Sequence, residues 1–369
     1  MYLFHVPKAD LNPKEKVREV ILHIGTPKTG TTALQLAFYR SREFLNENSI
    51  SYPNLTESGF GWTVERGLGS GNANLDALIS WESNKAEDRF AHIIREAEKS
   101  CDAHEKILLS SEVLNRYSVS KEFWETIGKL STNLNLKFTF VIYLRDPFSW
   151  FISCYQQAVK GSCFTGSLDN FVGPFLNSNS DLSFITQKNL PVFFENVEKY
   201  KCGLKIYRYE DSLPSIENHF FSNVLGLQFE ETGVEPNIVN TTFNMMELEF
   251  HRGVNSVSCR LGTLFSFERS DTNLARNVKR FNFPKSKFVL TQDSRKTLAN
   301  QFKIYESHLK LLTNFGDRVN YSINDAVLAD ELSDDEKLIR EQIFELGRFV
   351  AISHTDGYIN WDWKRKSQV

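Results

Sequence analysis

The chain of 369 residues has no Cys-x-x-Cys pair, and its five cysteines, Cys101, Cys154, Cys163, Cys202 and Cys259, are odd in number and scattered. Neither a disulfide framework nor a zinc site is indicated, and a reducing, cytoplasmic setting is the expectation. Long apolar runs are missing as well. The most apolar stretch, near Phe138 to Leu144, falls far short of the ~20 residues that a membrane-spanning helix needs. Met1 to Lys16 contains Pro7 and Pro13 but no apolar core of signal-peptide length. Charge of one sign is also lacking: 43 basic residues face 46 acidic ones, for a net charge of −3. That balance gives no general reason to expect nucleic acid, and no long basic run suggests a membrane surface. Internal repeats and low-complexity tracts are absent.

What is present suffices for a sizeable core. Hydrophobic residues make up 41% of the chain, and the length suits one large α/β domain with insertions or two domains. The most informative stretch is Val20 to Gln35. A β-branched apolar run ends at Gly25, small and hydroxylated residues follow, and Ala33 to Phe38 carries helix formers. The order is strand, loop, helix.

Measured against the phosphate loop G-x-x-x-x-G-K-[ST], Gly25 and Gly30 are correctly spaced and Thr32 takes the Ser/Thr position, but Thr31 replaces the lysine. The lysine has moved into the loop, as Lys28. Such a loop can cradle an anionic group on the backbone N–H groups of Thr29 to Thr32, yet it is ill suited to cleaving a γ-phosphate. Lys28 is then free to meet charge on a transferred group.

The run Pro27-Lys28-Thr29-Gly30-Thr31-Thr32, followed by Leu34-Gln35, resembles the 5′-phosphosulfate loop of sulfotransferases that use 3′-phosphoadenosine 5′-phosphosulfate (PAPS). The whole run from Ile24 is similar to a bacterial, carbohydrate-sulfotransferase-like branch of that superfamily. This implies a P-loop-like fold, PAPS as co-substrate, 3′,5′-adenosine bisphosphate as product, and Pro27, Lys28, Thr29, Gly30, Thr31 and Thr32 at the cofactor.

A second stretch adds to the first. A buried strand ends at Leu144, Asp146 is a good N-cap, Pro147 a good first helical residue, and the helix that follows buries Phe148, Phe151, Ile152, Tyr155 and Ala158. Ser149 and Ser153 are left together on the polar side, with Arg145 at the mouth of the strand. An arginine offers a planar fork suited to phosphate. Arg145, with Ser153 eight positions later, is similar to the superfamily's 3′-phosphate site.

The base is harder to place. Lys106 to Ser111 reads as a strand with Glu112 at its carboxyl end, where open parallel sheets bind ligands. Glu112 is the first candidate for the catalytic base, with Glu65 and His92 as rivals, because the superfamily's His or Glu base varies in position between branches. His23, in the middle of the first strand, is expected to be a buried, hydrogen-bonded core residue. Residues 54 to 74 read as a long irregular loop and a candidate acceptor wall. Residues 161 to 189 read as a polar segment packing loosely over the sheet.

Leu204 to Asp211 reads as a further strand ending in a Tyr-Glu-Asp turn, with Tyr209 and Glu210 architectural. Helices are expected at Ala86 to Lys99, Ser215 to Leu225, Met245 to Leu261 and Thr291 to Leu312, and after the capping box at Ser333. Seven basic residues between Arg260 and Lys287 stand against two acids. They fit a solvated basic face or a segment closing on an anion. The Gly-rich closing loop of cytosolic small-molecule sulfotransferases is not seen there.

The expected fold is a three-layer α/β/α arrangement around a parallel sheet of four or five strands, P-loop-like, with a helical C-terminal region. The expected divisions are an extension at 1–19, a PAPS-binding core at 20–229, and a helical part at 230–369 packed on the core. The expected activity is sulfuryl transfer to an acceptor hydroxyl, with a carbohydrate or glycolipid as partner. No metal is expected, since a sulfonate carries less charge than a phosphoryl group. A nucleoside or nucleotide kinase and a non-catalytic binder of the 3′-phosphorylated nucleotide are the alternatives.

Overall fold

The computed structural model describes residues 18–26, 28–53, 106–111, 114, 120–161, 164–177, 190–236, 243–258, 288–309, 327–328 and 331–355. They group into two compact units. One comprises Met1–Arg145, Ser180–Val239 and Ser307–Arg318, the other Asp146–Asn179, Asn240–Glu306 and Val319–Val369. Residues 146–179 thus group with residues from the C-terminal part, although they lie within the 20–229 span expected as the core.

The first unit is built on five parallel strands: β1 (Arg18–His23), β2 (Ile50–Ser51), β3 (Lys106–Ser110), β4 (Leu136–Leu144) and β5 (Gly203–Arg208), in the order β2-β3-β1-β4-β5. In register, Leu22 lies beside Leu109 on one side and Phe140 on the other. All of β4 except Lys137 is buried. A strand covered on both faces reads as a continuous apolar run, which is why Phe138 to Leu144 stands out in the sequence.

Both covers can be named. On one face Phe38 of α1 (Thr31–Arg40) and Phe220 of α7 (Ile216–Phe220) meet at 4.8 Å between ring centroids. They share a buried cluster with Ile21, Val141 and Tyr143. On the other face Phe140 meets Trp124 of α3 (Lys121–Asn133) at 5.2 Å and Phe193 of α6 (Leu190–Lys199) at 5.6 Å. The alternation of β4, Phe138 and Phe140 one way and Val141 and Tyr143 the other, sorts the two sets of helices. The result is the expected three-layer α/β/α arrangement.

The order of strands follows from where those helices lie. The chain leaves β1 through α1 and α2 (Arg42–Glu47) on one face to reach β2 at the edge. It returns across β1 through α3 on the opposite face, and α6 precedes β5 on that same face. A leftward crossover on one face and rightward ones on the other is what a uniform crossover hand demands. The reversal puts the switch point of the sheet at β1, and open sheets bind ligands at the carboxyl ends of the strands there.

Local signals set several boundaries. Ser120 accepts a 3.0 Å hydrogen bond from Phe123 N and caps α3. Helical spacing continues through Ser41 in the sequence, but the helix breaks there into α1 and α2. The helix expected at Ser215 to Leu225 is α7, capped by Ser215, running into a single wide π-type turn at Phe221–Leu225.

The second unit holds α4 (Pro147–Gly161), α5 (Leu168–Asn177), α8 (Met245–Ser258), α9 (Gln292–Leu309) as far as Glu306, and α10 (Asp334–Thr355), with a short parallel pair, β6 (Val289–Leu290) and β7 (Val327–Leu328). Asp146 caps α4 as expected, its Oδ1 accepting from Ser149 N at 2.8 Å. The expectation of loose packing over 161 to 189 fails at α5. Phe171 and Phe175, four apart, fall on one helical face and pack against Phe151 of α4 at 5.7 and 5.0 Å. Antiparallel α8 and α10 touch backbone to backbone: a Cβ on Gly253 would lie 1.9 Å from Phe344 O, and one on Gly347 2.1 Å from Phe250 O.

Candidate functional site

β1 ends at His23, and the chain continues along β4 for several residues more. Ile24 N donates to Val141 O (3.1 Å), Thr26 Oγ1 donates to Tyr143 O (2.8 Å), and Arg145 Nη1 donates to Lys28 O (3.0 Å). Each bond advances by two residues on both chains. The loop therefore prolongs the parallel register, with a hydroxyl and then a guanidinium standing in for backbone donors.

At the end of this ladder the backbone turns sharply. Lys28 has φ 70° and Gly30 φ 75°, both left-handed. Glycine adopts this freely, whereas a residue with a Cβ is disfavoured by roughly 1–2 kcal/mol. Lys28 is thus held in a strained conformation by its surroundings, and its carbonyl is held by Arg145. No side chain caps α1, whose first intrahelical bond runs from Leu34 N to Gly30 O (3.1 Å). The N–H groups of Thr31 to Ala33 lack intrahelical acceptors, and they stand at the positive end of the helix dipole. An anion there would be held by backbone.

The hydroxyls of the loop divide by task. Thr29 is fully buried and donates to Thr26 O (2.6 Å). Thr31 is also buried, its Oγ1 packed so close to Gly25 that a Cβ there would lie 2.8 Å from it. Thr26 and Thr29 thus brace the loop through their hydroxyls, Thr31 Oγ1 is enclosed without a hydrogen-bond partner, and Thr32 is half-buried. Thr31, at the position where a nucleoside-triphosphate loop has lysine, offers only its backbone N–H.

Beneath the loop His23 is buried as expected. Its Nδ1 lies 2.8 Å from Ser110 Oγ, and burial lowers its pKa to about 3, so the imidazole is neutral. Gln35 Nε2 donates to Ser110 O (3.2 Å) and Ser111 N donates to His23 O (3.1 Å), which sets the carboxyl ends of β1 and β3 side by side.

Arg145 is half-buried, and its Nε is enclosed without a hydrogen-bond partner. Its guanidinium carbon sits 5.1 Å above the Tyr209 ring, a cation–π stacking distance. Tyr209 N donates to Leu144 O (2.8 Å), and a Cβ on Gly30 would meet the Tyr209 ring edge at 3.5 Å. One aromatic ring therefore abuts both the glycine of the loop and the arginine of the strand end. The Tyr-Glu-Asp turn marks this residue in sequence as architectural; nothing local reveals that it stacks on Arg145. Thr26 is likewise a contributor that the motif alone does not single out.

Lys28, Thr29, Gly30, Thr31, Thr32 and Arg145 are brought together in the first unit. Ser153 belongs to the second, half-buried on α4 one turn beyond Ser149. The polar side of α4 is narrower than its spacing suggests, since Trp150, Cys154 and Gln156 are buried beside Phe151 and Tyr155, while Ala158 is only half-buried. Glu112, Pro27, Glu65, His92, the helix at Ala86 to Lys99, and the basic stretch from Arg260 to Lys287 lie outside the described residues. Among the described residues no group of three or more His, Cys, Asp or Glu could hold a metal ion, and no helix is long and apolar enough to cross a membrane.

No family model and no curated protein matches the chain. Two solved structures to which it is similar are a sulfotransferase from Alicyclobacillus acidocaldarius and the sulfotransferase domain from the Synechococcus PCC 7002 olefin synthase. The first is 14% identical, covering 64% of this chain and 91% of that one, with a TM-score of 0.33. The second is 13% identical, covering 62% and 80%, with a TM-score of 0.30. With both TM-scores below 0.5, the fold rests on the strand order and register given above: a parallel α/β sheet with a phosphate-loop-like turn after its central strand.

Proposed function

We propose that this chain is a PAPS-dependent sulfotransferase that moves a sulfuryl group from 3′-phosphoadenosine 5′-phosphosulfate to an acceptor hydroxyl, with a glycan as the first acceptor to test. The observation that carries the reading is the loop itself. An uncapped helix N-terminus after two left-handed residues, with Lys28 inside the turn and Arg145 docked on its backbone, suits a nucleotide 5′-phosphate without a γ-phosphate to cleave. The sequence resemblance points the same way.

In this reading the Thr29 to Thr32 amides hold the 5′-phosphate, and Lys28 meets the charge that develops on the bridging oxygen. Arg145 and Ser153 take the 3′-phosphate. The acceptor oxygen forms the new S–O bond as the bond to the leaving phosphate breaks, and the acceptor proton goes to Glu112, or to Glu65 or His92 in its place. The enclosed, unpartnered Nε of Arg145 is consistent with an anion in its vicinity.

Calorimetric titration with 3′,5′-adenosine bisphosphate in the absence of magnesium, beside ATP with magnesium, tests it. Binding of the bisphosphate is expected, weakened in Lys28→Ala and lost in Arg145→Ala; the Glu112→Gln variant should keep that binding and lose turnover. Preference for ATP with magnesium would restore a kinase, and unchanged behaviour of Glu112→Gln in every assay would favour a non-catalytic binder.

A further inference from the structure

We propose that Arg145 is the positioning residue of the phosphate loop. Its hydrogen bond to the Lys28 carbonyl holds the left-handed turn in place, so the loop is formed before a 5′-phosphate arrives. The inference deepens the reading above and rests on it only for the identity of the ligand. The hold itself rests on geometry.

The loop is tied to the end of β4 by successive bonds at Ile24, Thr26 and Lys28, and the last two are made by side chains, the Thr26 hydroxyl and the Arg145 guanidinium. The turn it secures is disfavoured at Lys28, whose φ is 70°. Released from Arg145, the Lys28 peptide would relax toward ordinary backbone angles and carry the following N–H groups away from their common focus. Arg145 is itself well fixed, lying 5.1 Å above the Tyr209 ring, which also abuts Gly30.

A guanidinium has five N–H donors. One is used on Lys28 O, Nε is enclosed without a partner, and the others remain able to meet a second anionic group. One side chain thus shapes the first phosphate site while contributing to a second. A nucleotide carrying both phosphates should bind more tightly than its two sites acting independently, since engaging Arg145 also steadies the loop.

The test separates positioning from direct contact by using adenosine 5′-monophosphate, which has no 3′-phosphate for Arg145 to contact. Positioning predicts that Arg145→Gln weakens the monophosphate roughly five- to thirty-fold, the affinity equivalent of the left-handed turn. In the Lys28→Gly background, where that conformation carries no Cβ penalty, the same substitution should have a clearly smaller effect. Equal monophosphate affinity with and without Arg145→Gln, while the bisphosphate weakens, would overturn the proposal and leave Arg145 as a 3′-phosphate contact only.

A second measurement needs no nucleotide. Hydrogen exchange of the peptide covering 25–32 should quicken in Arg145→Gln, and unchanged exchange would overturn the proposal. If the unmodified protein bound neither nucleotide, the sulfotransferase reading would fall, and the exchange result alone would decide the role of Arg145.

Discussion

Replacing Gly25 by alanine should destabilise the protein through crowding alone. Gly25 is not among the left-handed glycines, so its backbone would accept a side chain. The obstacle is space: the new Cβ would lie 2.8 Å from Thr31 Oγ1, 3.0 Å from His23 Nε2 and 3.2 Å from His23 Cε1. Comfortable heavy-atom contacts begin near ~3.5 Å, so three atoms must give way at once. His23 is fully buried and engaged with Ser110 Oγ at 2.8 Å, and Thr31 is 4% exposed in the first turn of α1. Overpacking of this kind costs about 1–3 kcal/mol. The reduced freedom of the unfolded chain offsets about 0.4–1 kcal/mol of that.

A net loss of about 1–2 kcal/mol is expected in urea unfolding. Nucleotide affinity should fall with it, because the first turn of α1 supplies the cradle. Adding Thr31→Ala to Gly25→Ala removes the nearest atom and should recover about 1 kcal/mol relative to additivity. A Gly25→Ala protein within 0.5 kcal/mol of the parent, or no coupling between the two positions, would refute the reasoning.

Two further outcomes concern the second unit and the response to acid. Gly253→Ala places a Cβ 1.9 Å from Phe344 O between α8 and α10; separating those backbones should cost about 3 kcal/mol or more, whereas Gly226→Ala, with open space around it and φ 76°, should cost only about 1 kcal/mol. Similar unfolding midpoints for the two variants would contradict the close packing. For His23 the sign is set by burial, which lowers its pKa from 6.5 to about 3. Below pH 6.5 the unfolded chain takes up a proton that the folded chain refuses until about pH 3, so stability falls on acidification across that window. The slope is at most about 1.4 kcal/mol per pH unit from this residue. His23→Gln should flatten stability against pH between 4 and 6 by up to one proton, and an unchanged slope would show that His23 titrates normally.

Much of the site's local chemistry was legible in the sequence because it depends on neighbours in the chain. Gly25 and Gly30 announce a turn between a strand and a helix, since the apolar run stops at the first and α1 follows the second at once; the left-handed angle of Lys28 carries no such local signal. Asp146 and Pro147 announce the start of α4 for the same short-range reason. The run Phe138 to Leu144 declares a strand covered on both faces, and a parallel sheet with helices in two layers follows from strands alternating with helical spacing.

Tertiary structure decided what depends on residues far apart. That the loop continues the β1–β4 register, pairing 24, 26 and 28 with 141, 143 and 145, is fixed only when two segments more than a hundred residues apart align. The same alignment turns the Thr29 and Thr31 hydroxyls inward, seats Tyr209 under Arg145, and makes Arg145 a brace for Lys28. Composition and spacing treat all of these as independent residues. Local backbone preference determined which elements form and where the loop turns, while burial and register across the sheet determined which side chains serve the loop's structure and which remain for a ligand.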